Sequence, residues 1–81
     1  MKKIPRDLEA NGLIKLLHKK YNYEVSRQVG SHIRLTTTKN GQHHITIPNH
    51  NPIKLGTLSS ILTDIASHLN ITRQQLLEEL F

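Results

Sequence analysis

The chain has 81 residues and no cysteine, so it is one small domain near the size at which burial only just outweighs chain entropy, without disulfide staples or a thiolate metal site. A net charge of +5 points to a polyanionic partner, while aromatics limited to Tyr21, Tyr23 and Phe81 argue against reading single strands by base stacking. No apolar run is long enough for a signal peptide or a membrane span, which predicts a soluble, cytoplasmic protein.

In chain order, Met1 to Arg6 is a basic lead-in with little to order it. Asp7 or Asn11 caps a first helix carrying Leu8, Leu13, Ile14, Leu16 and Leu17 and running to about Lys20. Lys19-Lys20 suits the partial negative charge of a helix C-terminus. After a turn at Tyr21-Asn22, Tyr23 to Val29 alternates as a strand that Gly30 breaks, at a point where the backbone needs a positive angle or a close approach. Ile33-Arg34-Leu35-Thr36 and Ile45-Thr46-Ile47 alternate around Lys39-Asn40-Gly41-Gln42, a strong hairpin signal. Ile33, Leu35, Ile45 and Ile47 then share a buried face, and His32, Arg34, Thr36, His44 and Thr46 share a wet one. Asn49 to Pro52 reads as a loop. Gly56-Thr57 opens a helix whose Leu58, Ile61, Leu62, Ile65, Ala66 and Leu69 form one apolar stripe. Asn70 ends that helix, and Thr72 with Gln75 has capping-box spacing for a short helix ending at Leu80-Phe81. There is no internal repeat or low-complexity tract, so residues 1–81 are expected to form one domain. The order predicts an α+β sandwich, with a three-stranded antiparallel sheet covered by helices on one face and wet on the other.

The wet face holds the chemistry. Histidine both accepts and donates protons near neutrality. Metal-free RNA cleavage needs a base for the 2′-hydroxyl, an acid for the leaving oxygen and positive charge around the phosphorane. His32, beside Gly30-Ser31 and with Arg34 on the same face, supplies plausible parts. On spacing alone the plainer account stands ahead: a polar strand histidine whose ring satisfies a backbone group. His43, His44 and His50 raise the question of zinc. His43 and His44, however, point to opposite faces, and no carboxylate lies near them in sequence, so solvated or loop-satisfying histidines are the better account. The carboxylates are spread out, and the glycines sit at separate turns rather than in a phosphate loop. Arg27, Arg34, Lys39 and Lys54 are candidate phosphate contacts, and the backbone N–H groups at Gly56-Thr57-Leu58 a candidate anion site.

Taken together, the run Tyr23-Glu24-Val25-Ser26-Arg27-Gln28-Val29-Gly30-Ser31-His32-Ile33-Arg34-Leu35, then Ile45-Thr46-Ile47-Pro48-Asn49-His50, then Leu55-Gly56-Thr57-Leu58 with Ile61-Leu62, resembles the core of the HicA (YcfA-like) toxin family. The resemblance implies a fold like the double-stranded RNA-binding domain, α-β-β-β-α, here with a short extra C-terminal helix. It implies an mRNA endoribonuclease of a toxin–antitoxin system that arrests growth until a HicB-type antitoxin covers its active site. The Gly-Ser-His histidine of the family maps to His32 as the catalytic residue. Gly30, Ser31, Arg34, Lys39, His44, His50 and Lys54 would then contact RNA, with no metal, small-molecule cofactor or membrane involved. The chain departs from the family pattern at Ala10-Asn11-Gly12, where a small or hydroxylated residue usually precedes the glycine. It departs again at Asn49, where arginine is frequent, and so has one positive charge fewer beside the presumed groove. From a different class, a non-catalytic double-stranded RNA-binding module would use the same basic face. A protein-interaction domain docking an acidic partner is a third reading.

Overall fold

The computed structural model describes residues 3–81; Met1 and Lys2, at the start of the basic lead-in, lie outside the described residues. Six elements follow one another: α1 (Ala10–Tyr21), β1 (Glu24–Val29), β2 (His32–Thr37), β3 (His43–Pro48), α2 (Leu55–Leu69) and α3 (Arg73–Leu80). The strands form one antiparallel sheet in the order β1-β2-β3, so this is an α+β fold with an open three-stranded sheet.

Strands β2 and β3 behave as their alternation demands. Ile33 and Leu35 of β2 and Ile45 and Ile47 of β3 are buried, and they join Leu13 and Leu17 of α1 and Leu58, Leu62 and Ile65 of α2 in one core. Ile4 and Leu8 of the lead-in and the first loop pack against that core. Removing each large aliphatic from water contributes roughly 1.5–3 kcal/mol, an upper estimate because the unfolded chain is already partly compact. Strand β1 is different: all six of its residues are exposed, including Val25 and Val29. The helices lie over β2 and β3 and leave the β1 edge uncovered on both faces.

The helix ends show where local signals suffice. Asn22 and Asn70 adopt left-handed backbone (φ 61° and 59°) and terminate α1 and α2, as short polar side chains allow. Thr72 Oγ1 accepts the Gln75 N–H at 3.0 Å, capping α3. The start of α1 departs from expectation: neither Asp7 nor Asn11 caps it. Glu9 is the N-cap residue without a side-chain bond, and Asn11 lies inside the helix. The first free N–H, that of Ala10, is taken instead by Asn51 Oδ1 at 3.0 Å, from the loop after β3. Helix α2 begins at Leu55, one position before the Gly56-Thr57 pair.

Candidate nucleic-acid interface

The open face of the sheet is ordered by pairing, because directly opposed residues project to the same side. Across β2 and β3, His32 faces Pro48, Arg34 faces Thr46 and Thr36 faces His44. Across β1 and β2, Val29 faces His32 and Arg27 faces Arg34, with the register shifting between Val25 and Arg27. That shift is a β-bulge in which Ser26 is the additional residue. It puts Val25, opposite Leu35, on the helix side and Arg27, opposite Arg34, on the open side. Arg27, Val29, His32, Arg34 and Thr46 thus line one shallow recess open to solvent.

The turn that presents His32 joins Val29 to its pairing partner through Gly30-Ser31 alone. Only the first of the two has positive φ (Gly30, 58°), which is the arrangement of a type II′ hairpin with glycine leading. Gly30-Ser31 is therefore a second hairpin turn and not merely a strand break; a Gly-Ser pair between two alternating runs carries that signal. The Asn49 N–H donates to the Ser31 carbonyl at 2.6 Å and the His50 N–H to the Pro48 carbonyl at 2.8 Å, which holds the His50 loop beside the start of β2. His32 is exposed, and among the described residues nothing hydrogen-bonds to its ring. The plainer account of His32, a ring satisfying a backbone group, has no support in this geometry.

The other expected site residues divide. His44 shares the open face but is anchored. Ser26 Oγ donates to the Arg34 carbonyl (3.3 Å) and Thr36 Oγ1 donates to Ser26 Oγ (3.0 Å), so the remaining contact at 2.8 Å is donated by His44 Nδ1 to Thr36 Oγ1. Lys54 is exposed on the connection leaving the His50 end of the sheet, where its carbonyl accepts the first N–H bond of α2 from Leu58. Lys39 is not grouped with His32. It lies past the opposite end of β2, roughly 20 Å along the strand, and lines a separate cleft with Lys20, Tyr21 and Glu79.

His43 turns to the helix side, as its alternation with His44 requires, and there it meets a carboxylate that sequence proximity did not reveal. Its Nε2 donates to Asp64 Oδ1 of α2 at 3.2 Å, so its Nδ1 accepts the Tyr23 hydroxyl at 2.7 Å. The ring also stacks on His68 at 4.3 Å. Burial, with the Asp64 charge adding to it, pushes the Tyr23 hydroxyl up to about 12, so it stays protonated and inert. Among the described residues, no three histidine, aspartate or glutamate side chains are placed to hold a metal ion.

A family model described as the HicA toxin of bacterial toxin–antitoxin systems matches residues 10–66, from the first residue of α1 into α2, and so spans both hairpins and the recess. The chain belongs to the HicA toxin family. Searches of curated proteins and of solved structures gave no match. As a HicA toxin it is one member of a toxin–antitoxin pair, with an antitoxin as its counterpart. No helix among the described residues is long and apolar enough to cross a membrane. Helix α3 lies beyond the HicA match. It is tied to the rest by Leu76, Leu77 and Leu80 in the core and by the Tyr21 hydroxyl, which donates to Glu79 at 2.7 Å.

Proposed function

We propose that this HicA toxin is an endoribonuclease that cleaves mRNA in the cytoplasm by metal-independent acid–base chemistry, with His32 as the catalytic residue. The observation that carries this reading is the exposed, unpartnered His32 ring at the rim of a recess it shares with Arg34. In the reaction, a base takes the proton of a ribose 2′-hydroxyl and the oxygen attacks the adjacent phosphorus. The bond from phosphorus to the 5′-oxygen breaks, and an acid returns a proton to that leaving oxygen. An imidazole serves either step near neutral pH. The guanidinium of Arg34 stabilises the charge that builds on the phosphoryl oxygens. His50, held beside Ser31, and Lys54 add positive charge or the second proton transfer at the same end of the sheet. Gly30 and Ser31 shape the approach of the backbone. A HicB-type antitoxin silences the toxin by covering this open face.

The test compares wild type with His32→Ala on unmodified RNA in the presence of a chelator, alongside growth arrest on expression. The expected result is cleavage by wild type and a loss of at least about a hundredfold in the variant, with both chains folded. RNA bound but left intact by wild type at long incubation identifies a binding module instead. Cleavage by His32→Ala at the wild-type rate removes that residue from the mechanism.

A further inference from the structure

The bulge at Ser26 does more than bend an edge strand. In an unbroken strand Arg27 would share the helix-side face of Val25, because side chains alternate and a one-residue slip reverses every one of them. The additional residue resets the alternation and sets Arg27 directly opposite Arg34 on the open face. Two like charges in that relation repel. No carboxylate relieves them: among the described residues the single ion pair is His43 with Asp64, on the other side of the sheet. Glu24 is on the open side but opposite Thr36, toward the far end of the strand. The two arginines instead border one recess, next to the Thr46 hydroxyl and the His32 ring. Each guanidinium presents a rigid fork of N–H donors matched to the oxygens of a phosphate.

We propose that Arg27 and Arg34 form a clamp for a single backbone phosphodiester of RNA, built by the Ser26 bulge and setting the scissile phosphate beside His32. This rests on the reading of RNA as the ligand and names the group that fixes it. The clamp is local: its strength depends on which face Arg27 occupies, not on the net charge of the chain.

A charge-conserving exchange tests it. The double variant Arg27→Gln/Gln28→Arg keeps the net charge and moves the guanidinium to the position opposite Ile33, on the helix side of the sheet. Binding is measured with a 2′-O-methyl RNA oligonucleotide, which cannot be cleaved, over a range of salt concentrations. Arg27→Gln is expected to weaken binding about tenfold and to reduce the salt slope by about one. The exchange variant is expected to lose as much as Arg27→Gln, and Arg27→Lys, which keeps the charge without the fork, to fall between wild type and Arg27→Gln. Circular dichroism and thermal unfolding check folding, which exposed edge-strand positions leave intact. Wild-type affinity in the exchange variant would mean that diffuse charge holds the RNA, and the clamp would be wrong. The two ideas fail separately. Wild type that binds through the clamp without cleaving unmodified RNA ends the nuclease reading alone. Wild type that cleaves while the Arg27 variants bind normally ends the clamp alone.

Discussion

The two hairpins of the sheet close its opposite ends in opposite ways. At the β2–β3 turn, Asn40 Nδ2 donates to the His68 carbonyl at 2.9 Å, His68 Nε2 meets the Lys39 carbonyl at 2.9 Å, and His43 is held by Tyr23, Asp64 and the His68 ring. At the β1–β2 turn, a Cβ built on Gly30 would meet nothing within 4 Å, and His32 beside it makes no hydrogen bond among the described residues. Both ends carry histidine. At one end the imidazole completes the structure, and at the other it is left available. A polar ring without protein partners on a strand contributes little to stability and leaves both ring nitrogens open to a ligand.

The sharpest way to break this comparison is to truncate each histidine. His32→Ala is expected to lower RNA cleavage by about 10²–10⁴-fold, the usual contribution of one acid–base group, while stability moves by no more than about 0.5 kcal/mol. A large loss of stability would place His32 among the structural residues. His43→Ala should do the reverse. It leaves the buried Tyr23 hydroxyl without its acceptor and costs about 1–3 kcal/mol, read by denaturant unfolding, while cleavage per folded molecule is unchanged.

The tethered end also has a pH signature. The Tyr23 hydroxyl titrates near 10 when unfolded and is pushed up to about 12 in the fold by burial and by Asp64. The unfolded chain therefore loses this proton first as pH rises. The stabilisation is complete below pH 10 and is lost between pH 10 and 12. Tyr23→Phe should flatten that part of the stability profile, at the cost of the hydrogen bond to His43. An unchanged alkaline slope would mean that other groups set it. Tyr21 is one such group, raised in the same direction by burial and by Glu79.

How far the sequence disclosed these two ends follows from the range of the forces involved. Ile33, Leu35, Ile45 and Ile47 alternate strictly, so the buried face, and with it the exposure of His32 and Arg34, was legible from period two alone. Helix stops at Asn22 and Asn70 and the Thr72 cap are local and equally legible. Strand β1 was legible as a strand but not in its facing, since Val25 and Val29 look like one face and lie on two. Only the pairing register reveals the bulge, and with it the approach of Arg27 to Arg34. The Asn51 cap on Ala10 and the Asp64 partner of His43 join residues 41 and 21 positions apart. No local pattern encodes such pairs; the packing of the helices on the sheet creates them.

A smaller change sharpens the contrast at the open turn. Gly30→Ala meets no steric obstacle, so its whole cost is the positive φ of 58° that an L side chain resists, about 1–2 kcal/mol. If the turn's conformation positions His32, cleavage falls by more than this stability loss explains. A variant with lowered stability and normal cleavage per folded molecule would show that the turn only connects the strands.

The smallest effect comes from the closed turn, where two causes of stability can be separated. Asn40 has φ 59° and also donates its amide to the His68 carbonyl. Asn40→Ala loses the hydrogen bond and places a less tolerant residue in the left-handed region, for a sum of about 1–2 kcal/mol. Asn40→Gly loses the same bond but adopts that backbone freely, so the two terms nearly cancel and the net change is a few tenths of a kcal/mol. Equal losses in the two variants would make the tether to α2 the dominant element. A loss confined to Asn40→Ala would make backbone conformation the dominant one, and the His68 contact to the Lys39 carbonyl together with the His43–His68 stack would then hold this end of the sheet.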